Sequence, residues 1–199
     1  MAITNGYITL AQFKSFTAVG DNDDTALEIT IESASRAIDN FTGRHFYQDA
    51  GGVRVYTPDE WDRLEVDDIY NTTSLALAQD TTGDGTFDTT WTITTDFLMH
   101  PPNPRPGWPY TAIVLSRTGS RYFEGYPNEI ELTANYGWSA VPEEVRHACL
   151  IQTNRFWHRR NSPEGVAGFS EFGVARISKL LDPDAQVLLD PFRKMPAII

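Results

Sequence analysis

The spacing of apolar residues changes twice along this chain, and that constrains the fold more than any other property of the sequence. Leu27, Ile31, Ala34, Ile38 and Phe41 recur at intervals of four and three, which lines one face of a helix. From Val53 the interval falls to two. Val53/Val55, Leu64/Val66, Leu75/Leu77, Trp91/Ile93, Ile113/Leu115 and Ile130/Leu132/Ala134/Tyr136 alternate with polar neighbours, as half-buried antiparallel strands do. In the last of these strands Glu129, Glu131 and Thr133 are read as the solvent side. After Pro142 the helical interval returns. The chain is therefore expected to be an α+β protein: a small helical framework of roughly four helices, residues 1–46 and 138–199, with an antiparallel β-rich insertion, residues 47–137, between the second and third helices.

Local signals punctuate this plan. Thr9 with Gln12 three residues on has the spacing of a capping box and opens a short first helix through Phe16. The run Gly20-Asp21-Asn22-Asp23-Asp24 breaks the chain and sets acidic groups at the start of the second helix, which Gly43 ends. Pro142, followed by Glu143 and Glu144, suits the first turn of a third helix. That helix has two apolar faces, with Val145, Ala148, Cys149 and Phe156 on one and Leu150 with Trp157 on another. A glycine-containing loop is expected through Gly173, and Asp182-Pro183-Asp184 opens a last short helix to about Leu189.

Charge is unevenly divided. Residues 1–46 hold 3 basic and 6 acidic groups, residues 47–137 hold 5 and 14, and residues 138–199 hold 8 and 7. Nearly all of the net −11 thus sits in the β-rich insertion, which repels phosphate backbones and argues against tight nucleic-acid binding. No apolar run approaches the ~20 residues that span a bilayer, so no membrane association is expected. The opening Met1-Ala2-Ile3-Thr4-Asn5-Gly6 lacks the basic and apolar regions of a secretory signal, and a single cysteine, Cys149, fits synthesis in a reducing compartment.

Few residues group in a way that suggests chemistry. Asp80, Asp84 and Asp88 stand at positions one, five and nine of a segment with Gly85 at six, imitating a calcium loop. The imitation fails at position three, Thr82, and at position twelve, where Trp91 replaces the bidentate carboxylate; a hairpin turn is the alternative. Asp67 with Asp68 could form an acid–base pair, or simply mark a solvated strand end. His147 and His158 are about three helical turns apart, too far to share a metal. No Gly-x-Ser-x-Gly elbow and no phosphate-binding glycine loop occurs, so no catalytic residue, cofactor or metal is assigned and the chain reads as a non-enzyme. The candidate partner surface comprises Leu150 and Trp157, the basic group Arg155, Arg159 and Arg160, and the terminal apolar residues Phe192, Ile198 and Ile199.

An ordered set of segments resembles the head–tail connector (adaptor) family of long-tailed double-stranded-DNA bacteriophages and gene-transfer particles. They are Tyr7-Ile8-Thr9-Leu10-Ala11-Gln12-Phe13-Lys14, Ala34-Ser35-Arg36-Ala37-Ile38-Asp39, Thr42-Gly43-Arg44-His45-Phe46, the turn over residues 80–88, Tyr136-Gly137-Trp138-Ser139-Ala140-Val141-Pro142, Arg159-Arg160-Asn161-Ser162-Pro163-Glu164-Gly165 and Leu181-Asp182-Pro183-Asp184. The resemblance implies a structural virion protein, made in the host cytoplasm, that forms a closed homo-oligomeric ring beneath the portal, dodecameric when assembled. Its implied partners are the portal protein and a head-completion or tail-terminator protein, with packaged double-stranded DNA passing through the channel without tight binding. The simplest members of that family are nearly all helical, and the β-rich insertion departs from them. A calcium-dependent surface-binding β-module and an acid–base hydrolase are the alternatives.

Overall fold

The computed structural model describes residues 3–18, 20, 23–160, 166–170, 173–176 and 181–194. In chain order the elements are α1 (Leu10–Thr17), α2 (Asp24–Thr42), β1 (Asp49–Tyr56), β2 (Arg63–Gln79), β3 (Thr89–Trp91), β4 (Phe97–His100), β5 (Tyr110–Leu115), β6 (Ile130–Tyr136), α3 (Glu143–Arg159), β7 (Val166–Ser170), β8 (Gly173–Arg176) and α4 (Pro183–Leu189), closed by a 3-10 turn, Asp190–Phe192. The fold is α+β, with an antiparallel six-stranded sheet between the second and third helices. The chain divides into two compact units, residues 1–46 with 141–199, and residues 47–140. No helix among the described residues is long and apolar enough to cross a membrane.

In the helical unit the capping box forms as its spacing predicts. The Thr9 hydroxyl accepts from the Gln12 N–H at 3.2 Å and the Gln12 side chain accepts from the Thr9 N–H at 2.8 Å. Leu27, Ile31, Ala34 and Ile38 of α2 are buried, but the stripe ends on Thr42, while Phe41 is half-buried with the Arg193 guanidinium 5.0 Å from its ring centroid. Gly43 supplies the left-handed residue that stops α2, at φ 67°, its N–H bonded to the Asp39 carbonyl at 2.8 Å.

Helix α3 packs against both α2 and α4. Cys149 is buried between Ser35 (3.5 Å) and Thr153 (3.8 Å), and burial pushes its thiol up to about 11 despite those hydrogen bonds, which makes it inert. Tyr7 knits the ends of the unit together. Its hydroxyl donates to Asp39 and accepts from the Phe46 N–H at 2.9 Å, and its ring meets Phe46 edge-on at 5.6 Å.

Strands β7 and β8 pair antiparallel, with Val166 opposite Arg176 and Phe169 opposite Val174, where the sequence predicted only a loop. Val-Ala-Gly-Phe-Ser and Gly-Val-Ala-Arg do not alternate apolar with polar residues, so they carry no strand periodicity and their glycines read as a loop.

In the β unit the sheet order is β1-β6-β2-β5-β4, and β3 pairs with the far end of β2. Strand β2 runs for 17 residues and serves three neighbours: Arg63 to Ile69 run along β5, Ile69, Asn71 and Ala76 to Gln79 pair with β6, and Leu77 to Gln79 also pair with β3. The register with β6 slips between Asn71 and Ala76, where Ser74 adopts φ 61°. Leu64, Val66, Leu77, Trp91, Ile113, Ile130, Leu132, Ala134 and Tyr136 join one core, as their alternation predicts.

Edge strand β1 inverts the expectation. Val53 is 58% exposed, as Val55 largely is, and the intervening Arg54 turns inward, its guanidinium 3.9 Å from the Tyr136 ring centroid and paired with Asp67 at 2.6 Å. Glu129, read as a solvent-facing residue, is instead only 1% exposed.

Candidate assembly surfaces

Helices α1, α3 and α4 leave an open groove of about 960 Å³ on the helical unit, lined by Ile8, Phe16, Glu143, His147, Leu150 and Leu188 among others. Each element brings its residue for a local reason. The capping box fixes where α1 begins, and Phe16, near its end, stands 48% exposed. Val145, Ala148 and Cys149 turn one side of α3 into the core, so Leu150, one residue on, is left half-buried facing the groove. Acidic groups crowd the first turn of α3, where Arg146 bonds Glu143. Of the described residues assigned from sequence to a partner surface, Leu150 alone lines this groove. Ile8, Phe16 and Leu188 escaped sequence reasoning because they come from separate elements that share no periodicity.

Among the described residues, Trp157, Arg155, Arg160 and Phe192 are engaged within the chain. Trp157 is only 7% exposed, on the buried side of α3 rather than on a free second face. The Arg160 guanidinium covers it, 3.3 Å from the ring centroid, and pairs with Asp23 at 2.9 Å. Arg155 pairs with Asp182 at 3.4 Å, at the start of α4. Desolvation and the neighbouring Arg155 charge together hold the Arg159 guanidinium below its usual range. Phe192 is buried, its ring edge-on to Phe46 at 5.8 Å and its carbonyl accepting from Arg44 Nε at 2.7 Å. A tail reading assigned it to a partner, but Phe46 and Arg44 already hold it. Ile198 and Ile199 lie outside the described residues.

The acidic candidates separate in the same way. The Asp80 carboxylate accepts from the N–H groups of Thr82 (3.0 Å), Gly83 (2.7 Å) and Gly85 (2.7 Å). Desolvation raises its pKa, but those three donors outweigh the effect and hold the carboxyl below the usual range. Asp84 accepts from the Thr86 N–H at 2.8 Å, and Asp88 is exposed, accepting from the Thr89 hydroxyl at 3.2 Å. The segment is the β2–β3 connection, built on Gly83 and Gly85 at positive φ. Asp67 and Asp68 diverge on β2: Asp67 joins Arg54, whereas Asp68 is buried and accepts from Trp138 Nε1 at 2.9 Å. Two adjacent strand residues project to opposite faces, so they form no acid–base pair. Among the described residues no three His, Cys, Asp or Glu side chains gather to hold a metal.

The chain is thus an α+β protein with an open groove on its helical unit and an acidic sheet unit in which the Asp80 carboxylate accepts from backbone N–H groups. No protein-family model matches it, and no curated protein does. Solved structures do share its fold. A chain in the neck of an empty gene transfer agent particle, computed with C6 symmetry, aligns at TM-score 0.63 and 16% identity, covering 98% of this chain and 93% of that one. One in the neck of the native particle, computed with C12 symmetry, aligns at TM-score 0.54 and 20% identity over the same shares. A chain of the native gene transfer agent virion aligns at 0.52 and 18%. The fold of this chain is thus the one found in the necks of those particles, and coverage of 98% includes the β-rich insertion.

Proposed function

We propose that this chain is a structural virion protein of the particle neck: a head–tail connector that assembles as a closed ring beneath the portal, extends the DNA channel and links capsid to tail. The observation that carries this reading is the end-to-end likeness to neck chains in assemblies of C6 and C12 symmetry. In this reading the β-rich insertion is a regular part of the neck fold.

A ring of identical subunits needs two different patches on each copy that meet by rotation. The groove with Phe16 and Leu150 is one. The outward face of α2, where Ile29 is half exposed beside Ser33 and Ala37, is the second, since small residues let another helix approach closely. The −9 balance of residues 47–137 gives any channel-facing part a lining over which packaged duplex slides without sticking. Portal and head-completion or tail-terminator proteins are the neighbours above and below, and synthesis is in the host cytoplasm.

Removing the gene from a particle-producing strain tests the proposal. Filled heads lacking attached tails are the expected product, restored by the native chain and not by Leu150→Asp. Normal tailed particles in the absence of the protein would overturn it.

A further inference from the structure

The β unit carries a surface that neither the sheet core nor the ring requires. Residues 57–62 and 115–128 are zipped together by three hydrogen bonds: Leu115 N–H to the Asp62 carbonyl at 2.9 Å, Phe123 N–H to the Trp61 carbonyl at 3.1 Å, and Asn128 N–H to the Thr57 hydroxyl at 2.8 Å. On the zipped pair Trp61 is 70% exposed, Tyr122 58% and Tyr126 51%. Between the two tyrosines Phe123 turns inward and stacks on Trp91, with centroids 5.0 Å apart.

The tyrosine loop is built, not loose. The buried Glu129 carboxylate accepts from the N–H groups of Glu124 (2.9 Å), Gly125 (2.7 Å) and Tyr126 (3.1 Å). The Gln79 amide bridges Glu129 to the Tyr122 carbonyl, while its oxygen accepts from Trp91 Nε1 at 3.1 Å. Such a network orders the exposed rings before any partner arrives, which removes part of the cost of binding.

Charge selects the partner. Asp59, Glu60, Asp62 and Glu124 lie on the same two loops, and none has an ion-pair partner among the described residues. Arg117 and Arg121 offset two of the four, which leaves the surface negative within a unit that is itself strongly acidic. That balance disfavours nucleic acid. Aromatic faces beside carboxylates suit a guanidinium, which stacks flat on a ring and donates a fork of hydrogen bonds; an ammonium does only the electrostatic part.

We propose that Trp61, Tyr122 and Tyr126, with Asp59, Glu60 and Glu124, form a docking platform for an arginine-bearing surface of a partner protein. The platform stands independently of the neck reading. Fluorescence anisotropy with the full-length chain tests it, using a labelled peptide of alternating arginine and glycine and its lysine counterpart. The arginine peptide should bind at least about fivefold tighter than the lysine peptide, and Trp61→Ala should weaken it about tenfold while Trp61→Phe keeps most of the affinity. Circular dichroism confirms folding of each variant. Should Trp61→Ala not fold, Trp61→Phe with a Tyr122→Ser/Tyr126→Ser double variant decides, the double variant losing the arginine preference. Equal binding of the two peptides, unaffected by these changes, would reduce the surface to bulk charge and overturn the proposal. So would self-association abolished by Trp61→Ala, which would make a second copy the occupant. Ring-dependent binding of maltohexaose with none of the arginine peptide would overturn it as well.

Discussion

The helical unit and the β unit use charge in opposite ways. In the helical unit apolar side chains such as Leu27, Ile31, Ile38, Val145 and Trp157 are buried, and charged groups tie its elements from outside: Lys14 to Asp24 at 2.6 Å, Arg160 to Asp23 and Arg155 to Asp182. The β unit brings carboxylates inside. Asp68 holds the Trp138 indole, Asp80 holds its own turn, and Glu129 holds the 124–126 loop. An exposed ion pair contributes about 0–1 kcal/mol. A buried carboxylate that satisfies several N–H groups leaves all of them unpaired when it is removed. A carboxylate that only pairs with an exposed cation is therefore nearly dispensable, whereas one that holds buried N–H donors is structural.

Four measurements break or sharpen this contrast. The largest effect belongs to Glu129→Ala, which strands three backbone donors and the Gln79 amide; a loss on the order of 3–5 kcal/mol is expected in urea unfolding of the β unit. A loss below about 1 kcal/mol would mean the loop closes by other contacts. Trp157→Ala should cost about 3 kcal/mol as a cavity in the helical core, read from a circular-dichroism melt. An unchanged melt with assembly lost would return Trp157 to a partner surface.

The third test is pH dependence. The folded Asp80 carboxyl titrates below its ordinary value, so its contribution is present above the unfolded pKa and disappears as pH falls through the folded one. Asp80→Asn should therefore flatten the acid limb of the stability profile while leaving the neutral region nearly parallel to that of the native chain. Superimposable acid limbs in the two proteins would remove Asp80 from the account. Smallest is calcium against chelator on the melting midpoint, where no difference is expected; a calcium-dependent rise would show a cation binding the native state.

Sequence legibility followed the same divide. Where one segment determined its own structure, the reading succeeded: the Thr9/Gln12 box, the Leu27-to-Ile38 stripe, the Gly43 stop and the Asp182 cap all formed. It failed where distant partners decide. Glu129 sits at an alternating position that reads as solvent, and only N–H groups three to five residues back explain its burial. Arg54 turned β1 over because Tyr136, on β6, offered it a ring. Phe192 read as a spare apolar group because Phe46 and Arg44, which cover it, lie far along the chain, and Trp157 because the Arg160 beside it, tied to Asp23, read as a free cation. The groove was legible only through Leu150, since no single element contains it.

Electron cryo-microscopy of the neck of particles that contain this chain tests the central claim most directly. The account predicts a closed ring of copies beneath the portal, each with its α1–α3–α4 groove covered by the α2 face of the next copy. A neck without this chain, or a ring in which Phe16 and Leu150 face solvent while other surfaces form the contacts, would contradict it.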